Sequence, residues 1–207
     1  MDIPLATPQI EPDVKKNEAR DDVLLVTEAL KNPDAFSHIM HKYLKPLKRY
    51  IHRLANLHED EEEDLMQDIF IKIYKNLNDF DSNLSFSSWI YRISHNATID
   101  HIRKMKNRPR LALNDDDEDR LLSVADELDI AKESDKLFLS KHINEIFSGM
   151  KDDHRIVLTL KYFEDRDYAE ISDILKKPPG TVATLIHRAK VEFKKIVTER
   201  KLNSNEL

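Results

Sequence analysis

Glycine occurs only twice in 207 residues, at Gly149 and Gly180, where ordinary usage near 7% would supply about fourteen. Hairpins and sheets take glycine in their turns, because it alone enters the left-handed region without a steric penalty. A chain this poor in glycine is restricted to helices joined by short or polar connections. The apolar residues agree. Phe36, Ile39, Met40, Tyr43, Leu44, Leu47, Tyr50, Ile51 and Leu54 recur three and four apart, as one buried helical stripe requires. Pro46 falls inside this stripe and is expected to kink or split the helix. The predicted class is all-α, and the length allows one domain or two small ones.

Residues 1–20 contain three prolines and no sustained apolar period, and are read as a flexible tail. Helical patterning begins at Asp21 with Val23, Leu24, Val26 and Leu30. A third helix opens on the acidic run 59–64, where negative charge suits the N-terminal dipole, and carries Leu65, Ile69, Phe70, Ile73, Tyr74 and Leu77. A polar connection leads to a fourth helix from about Phe86 to Met105. The first domain is expected over 21–107, a mobile acidic linker over 108–131, and a second domain over 132–202 whose first helix carries Leu137, Leu139, Ile143, Ile146 and Phe147.

The absence of cysteine excludes disulfides and thiolate metal sites. No run of 18 apolar residues and no signal-peptide pattern is present, so a soluble cytosolic protein without membrane insertion is expected. The net charge of −6 is unevenly distributed. Residues 114–135 carry ten carboxylates against Arg120 and Lys132, and the rest of the chain stands at +2. Residues 86–110 carry Arg92, Arg103, Lys104, Lys106, Arg108 and Arg110 against Asp100 alone. Such local clusters, rather than net charge, decide whether a phosphate backbone is attracted.

Two stretches carry recognisable chemistry. Tyr168-Ala-Glu-Ile-Ser-Asp-Ile-Leu175 and Thr181-Val-Ala-Thr-Leu-Ile-His-Arg-Ala-Lys190 flank a Pro178-Pro-Gly180 turn, the pattern of a helix-turn-helix. Thr181 is expected to cap the second helix. Ala169, Ile171, Ile174, Leu175, Val182 and Ile186 would form its core, leaving Ala183, Thr184, His187, Arg188 and Lys190 to face outward. The second stretch, 86–104, interleaves aromatic and cationic residues. Unpaired bases stack on aromatics while cations follow the backbone. Burial of Trp89 and Tyr91 as core residues is the competing reading, and both stand at this point. His38, His41 and His52 share a helical segment without a convincing ligand spacing. No metal, cofactor, small-molecule substrate or catalytic site is expected.

Phe86-Ser-Ser-Trp-Ile-Tyr-Arg-Ile-Ser-His-Asn96 with Ile99-Asp-His-Ile-Arg103 resembles the promoter-melting segment of extracytoplasmic-function (group IV) sigma factors of bacterial RNA polymerase. Glu63-Asp-Leu-Met-Gln-Asp-Ile-Phe70 resembles their core-binding helix, and 168–189 their region 4 helix-turn-helix. The resemblance covers about 22–107 and 132–200, with the motifs in family order. It implies region 2 and region 4 domains and docking of Asp64, Leu65, Gln67, Asp68 and Phe70 on the clamp helices of the largest polymerase subunit. Region 4 would meet the flap.

The resemblance further implies that Asp79, Phe80, Asp81, Ser82 and Asn83 hold a base flipped from the −10 element. Trp89, Arg92, Asn96, Asp100, Arg103 and Lys104 would line the adjoining DNA. Thr181, Ala183, Thr184, His187 and Arg188 would face the −35 element, with Lys161, Tyr168 and Lys190 on phosphates. An anti-sigma factor is a common partner in this family. Ala183 and Leu185 depart from the usual cations, Lys176 from the usual glycine and His95 from a frequent arginine. Two other classes remain: a stand-alone helix-turn-helix regulator, which leaves 63–70 and 86–104 unexplained, and a nuclease with a metal site at 59–64.

Overall fold

The computed structural model describes residues 12–82, 84–106, 146–147 and 149–204. Every regular element among them is helical. Helix α1 (Pro12–Lys31) is followed by the 3-10 turn Pro33–Ala35, α2 (Phe36–Ala55), α3 (Glu59–Lys75), the 3-10 turn Leu77–Asp79 and α4 (Phe86–Lys106). Further on, α5 (Asp152–Leu158) runs into a π-helical turn, Thr159–Phe163, and α6 (Tyr168–Leu175) precedes α7 (Pro179–Ser204). The linker expected over 108–131, and the helix expected to carry Leu137, Leu139 and Ile143, lie outside the described residues.

Helix α1 starts at Pro12, well before Asp21, so the expected tail is helical over 12–20. Proline suits the first helical position, where its missing N–H costs nothing. Lysine, glutamate, alanine and arginine then carry the stretch by propensity, which an apolar-period criterion cannot register. Val26 and Ala29 are buried and Leu25 is half-buried, whereas Val23, Leu24 and Leu30 are exposed.

Helix α2 is one element through Pro46. An interior proline costs about 3 kcal/mol. Complete burial of Ile39, Leu47, Tyr50 and Ile51 on either side, at roughly 1.5–3 kcal/mol per large apolar side chain, outweighs that penalty. The buried stripe is Phe36, Ile39, Tyr43, Leu47, Tyr50, Ile51 and Leu54; Met40 and Leu44 fall on its outer flank and are exposed. The helix ends at Asn56, whose left-handed backbone (φ 44°) directs its N–H to the His52 carbonyl at 2.9 Å. Ile69 and Ile73 of α3 and Ile90 and Tyr91 of α4 complete the four-helix core.

One polar contact ties α1 to α2. Asp22, 4% exposed, accepts from Lys42 Nζ and Tyr43 Oη, each at 2.7 Å.

In the C-terminal unit, Ile156, Val157, Leu160, Ile171, Ile174, Val182, Ile186 and Ala189 are buried together. Asp167 and Glu170 form a capping box that starts α6. Lys176 ends α6 with φ 52°, the conformation for which glycine is the usual choice. Two expectations are corrected here. Thr181 does not cap α7: the helix begins at Pro179, and the Pro178 carbonyl accepts from Thr181 N (2.9 Å) and Val182 N (3.1 Å). Proline at the first helical position moves the start upstream. Ala169 is exposed, because Ile171 and Ile174 already fill the narrow inner face of a two-turn helix.

Replacing Asp22 by alanine strands the buried Tyr43 hydroxyl and should lower unfolding free energy by about 1–3 kcal/mol. Urea unfolding of the full chain checks this, and Lys42→Ala should cost less because Lys42 is partly exposed.

Candidate nucleic-acid interface

Helix α3 sorts its residues by face. Leu65, Met66, Ile69, Phe70 and Ile73 point into the core, while Asp64, Gln67 and Asp68 are exposed. Leu65 and Phe70 are each 5% exposed, so of the five expected docking residues only the three polar ones present side chains outward. One turn further on, the exposed face carries Ile71, with Tyr74 beside it. An isoleucine off the buried period is legible in the spacing and marks an apolar spot at the edge of the acidic residues, beside Lys72 and Lys75.

The connection between α3 and α4 is anchored by aromatics. Phe80 packs against Phe86 at 5.0 Å and Trp89 at 5.5 Å, and Phe86 stacks on Trp89 at 5.6 Å. Trp89 is thereby a core residue in this conformation, 6% exposed. Asp79, Asp81 and Ser82 stand on the surface around half-buried Phe80; Asn83 lies outside the described residues. The arrangement is an exposed polar rim on a rigid aromatic base.

Along α4, Asn96, Asp100, Arg103 and Lys104 are exposed and Arg92 is half-buried. Arg103 Nη1 lies 3.7 Å from Asp100, a loose surface pair. The C-terminal unit covers the adjoining face of α4. Arg92 donates to Asp173 Oδ1 of α6 at 3.1 Å. Tyr91 donates to Glu164 Oε2 at 2.7 Å, and Arg53 of α2 donates to Glu164 Oε1 at 2.9 Å. The Arg53 guanidinium lies 4.5 Å from the Phe163 ring centre, and that of Arg166 lies 4.2 Å from that of Tyr91.

Burial, followed by the nearby Glu164 charge, raises the Tyr91 phenol above its ordinary range. Burial lowers Arg53 although Glu164 opposes the shift. Burial would also lower Arg166, but Tyr91 and Glu170 more than offset it and its pKa rises.

Below this cluster the two units enclose a cleft of about 620 Å³, with Asn96, Asp100 and Arg103 on one wall and Asp153, Ile156 and Lys177 on the other. His95 lines it, its Nδ1 3.0 Å from the Tyr50 hydroxyl. Burial lowers the His95 pKa to about 4; Asp153 opposes that shift, while Lys177 and Arg103 reinforce it.

Helix α7 presents a different surface. Gly180, Thr181, Ala183, Thr184, His187, Arg188 and Val191 are all exposed, while Val182, Ile186 and Ala189 anchor the opposite side. An atom added at the Gly180 Cβ position would meet nothing within 4 Å. Thr184 bonds back to the Gly180 carbonyl at 2.9 Å. At the edges, Lys161 lies over exposed Tyr168 at 5.5 Å and Lys190 over Tyr162 at 5.3 Å. A hydrogen bond to Tyr162 raises the Lys190 pKa, so it stays charged. An open helix face flanked by fixed cations suits insertion into a major groove with phosphates on either side.

A helix-turn-helix with an open second helix, joined to a four-helix unit with an aromatic-based polar loop, defines a DNA-binding transcription protein. The sigma-70 region 2 family matches residues 39–108 and the sigma-70 region 4 family residues 143–193. The ECF RNA polymerase sigma factor SigW of Bacillus subtilis (strain 168) is 37% identical over 167 residues, spanning 78% of this chain and 88% of that protein. The ECF RNA polymerase sigma-E factor of Escherichia coli (strain K12) is 28% identical over 151 residues, 69% and 79% of the two chains.

Two solved structures share the fold. CnrH in complex with the cytosolic domain of CnrY has a TM-score of 0.63 at 18% identity, covering 86% of this chain and 97% of that one. The sigma factor RpoE in complex with the anti-sigma factor NepR from Bartonella quintana has a TM-score of 0.57 at 17% identity, covering 79% and 96%. The chain belongs to the extracytoplasmic-function sigma factors of the sigma-70 family. It is an alternative sigma factor, acting in promoter recognition and transcription initiation. Sigma factors are non-catalytic initiation factors. No helix among the described residues is long and apolar enough to cross a membrane.

His95 provides a pH test. Its folded pKa lies below the ordinary 6.5, so the unfolded chain binds more protons between about pH 6.5 and 4 and stability falls with pH through that window. Wild-type protein should lose about 1–3 kcal/mol more than His95→Gln between pH 7 and 4.5. Parallel denaturant titrations at the two pH values measure the difference.

Proposed function

We propose that the chain divides into a region 2 unit over 21–107 and a region 4 unit over 132–202, which contact core polymerase and promoter DNA through separate faces. Asp64, Gln67 and Asp68, with exposed Ile71 one turn further on, form the surface for the largest-subunit clamp helices. The acidic residues steer the encounter and Ile71 supplies the apolar anchor. Leu65 and Phe70 serve by holding that face rigid.

The loop 79–85 receives a base flipped from the −10 non-template strand. Asp79, Asp81 and Ser82 offer polar groups around Phe80, and Trp89 holds Phe80 in place rather than stacking on a base itself. Arg92, Asn96, Asp100, Arg103 and Lys104 line the strand as it leaves. Binding only the separated strand makes melting favourable, since a few kcal/mol of unstacking is returned by the pocket.

Helix α7 reads the −35 element through Thr184, His187 and Arg188, with the small Ala183 and Gly180 permitting close approach and Lys161, Tyr168 and Lys190 on phosphates. The observation that carries this reading is the open α7 face. The two solved relatives are complexes with the CnrY cytosolic domain and the anti-sigma factor NepR, and a cytoplasmic protein restrained by an anti-sigma factor fits that precedent.

Transcription of a genomic library with purified bacterial core polymerase, followed by sequencing of RNA 5′ ends, tests the role. Starts that depend on this protein and share elements near −35 and −10 are expected. Their absence, with duplex DNA still bound by the chain alone, would instead support a stand-alone regulator. Arg188→Ala should weaken duplex −35 binding by about 1–3 kcal/mol, measured by fluorescence anisotropy. Ile71→Asp should reduce core affinity about tenfold or more without altering −35 binding.

A further inference from the structure

Several lysines of the C-terminal unit are paired with carboxylates. Lys176 meets Asp173 at 2.6 Å, Lys177 meets Asp153 at 3.9 Å and Lys195 meets Glu199 at 3.7 Å. A carboxylate beside an ammonium cancels much of the field that draws a phosphate. Lys161 and Lys190 are held by uncharged groups instead. Lys161 Nζ donates to the Arg166 carbonyl at 3.2 Å and lies 5.5 Å from the centre of the Tyr168 ring. Lys190 Nζ lies 5.3 Å from the centre of the Tyr162 ring.

These contacts belong to one cluster. Lys161 and Tyr162 are neighbours in the chain, yet they reach different helices. Lys161 meets Tyr168, the first residue of α6, and Tyr162 meets Lys190 on α7. A hydrogen bond to Tyr162 is the main reason that Lys190 favours its charged form, and Tyr168 adds a smaller attraction to the same ammonium. Both lysines are half-buried, the Tyr162 ring packs against the core of the unit, and Tyr168 is exposed.

A lysine stem in water explores many rotamers, and fixing it during binding costs entropy. Rings and a carbonyl that hold the stem beforehand remove that cost from the binding step while leaving the charge intact. Tyr162 has no place among the −35 assignments above, but this contact connects it to them through Lys190. We propose that Tyr162 and Tyr168 are positioning residues, which hold Lys190 and Lys161 as a preformed seat for the phosphate backbone of duplex DNA beside α7. The seat deepens the −35 reading of α7 and rests on it. It answers to phosphate placement rather than to sequence, and so sets the register in which Thr184, His187 and Arg188 meet the bases.

A double-substitution cycle in the full-length chain tests this, read by fluorescence anisotropy on a fluorescein-labelled duplex of randomised sequence over a series of salt concentrations. Lys190→Ala should weaken binding about fivefold and reduce the slope of log affinity against log salt by about 0.9, the change for one phosphate contact. Tyr162→Leu should weaken binding about threefold and leave the slope nearly unchanged, because Lys190 keeps its charge. Tyr162→Phe keeps the ring but loses the phenol oxygen, and should fall between wild type and Tyr162→Leu. With Lys190→Ala already in place, Tyr162→Leu should have no further effect.

An equal loss from Tyr162→Leu with and without Lys190 would overturn the positioning role and mark the ring as a core group only. If Tyr162→Leu loses helical circular dichroism, the same cycle with Tyr162→Phe decides by the same criterion. Binding indifferent to Lys190→Ala but weakened by Arg188→Ala would overturn the seat and leave the α7 reading standing. Binding indifferent to both would overturn the placement of duplex DNA on α7, and the seat with it.

Discussion

Helix α4 is packed by other helices on more than one side, and the rest of the molecule is arranged around what that demands. Helices α1, α2 and α3 cover it from one side and α6 from another. Close approach on so many sides favours small residues, and Ser88, Ser94 and Thr98 are almost wholly buried. Their hydroxyls would be costly there without partners. Ser94 returns its hydrogen bond to the Ile90 carbonyl at 2.9 Å and Thr98 to the Ser94 carbonyl at 2.8 Å, so the helix satisfies these two itself, whereas the Ser88 hydroxyl is buried without a partner. The large groups, Phe86, Trp89 and Tyr91, sit toward the N-terminal half, where the aromatic base of the preceding loop and the contact with the C-terminal unit are built. The proposed −10 surface and the contact between the two units take their positions from this helix.

Charge is placed with equal economy. Acidic residues open α3, where they complement the helix dipole, and Asp64 and Asp68 further along it are exposed on the proposed polymerase face. Cations gather on α4 and at the flanks of α7. Among the described residues, three carboxylates with buried side chains have partners across a helix boundary: Asp22 with Lys42 and Tyr43, Glu62 with His52, and Glu164 with Arg53 and Tyr91. A desolvated carboxylate persists only when its oxygens are occupied, so these three contacts fix helix orientations that apolar packing alone leaves loose.

The helical class, the helix-turn-helix and the order of the family motifs were all legible in the chain, since each depends on local spacing. The direction of individual side chains was less so. Leu65 and Phe70 belong to a motif that marks a helix without saying which of its faces docks; the apolar period through Leu65, Ile69, Phe70 and Ile73 carried that information. Pro179 overrode the capping signal of Thr181, and propensity carried α1 back to Pro12 without periodicity. The interdomain contacts could not be read at all. Arg53 and Glu164 are 111 positions apart, and nothing in either neighbourhood names the other.

The π-helical turn Thr159–Phe163 carries an implication for how such chains vary. Its signature is the Glu164 N–H reaching the Thr159 carbonyl at 3.1 Å, one residue beyond the α-helical partner. Such a turn is equivalent to one residue inserted into a helix. Deleting that residue would restore regular winding and carry Glu164 about 100° around the axis, off the line to Arg53. The helix-turn-helix downstream needs only its own core and would persist. Length polymorphism of a single codon within this turn would thus separate the Glu164 contact between the two units from DNA recognition, letting one evolve while the other is retained.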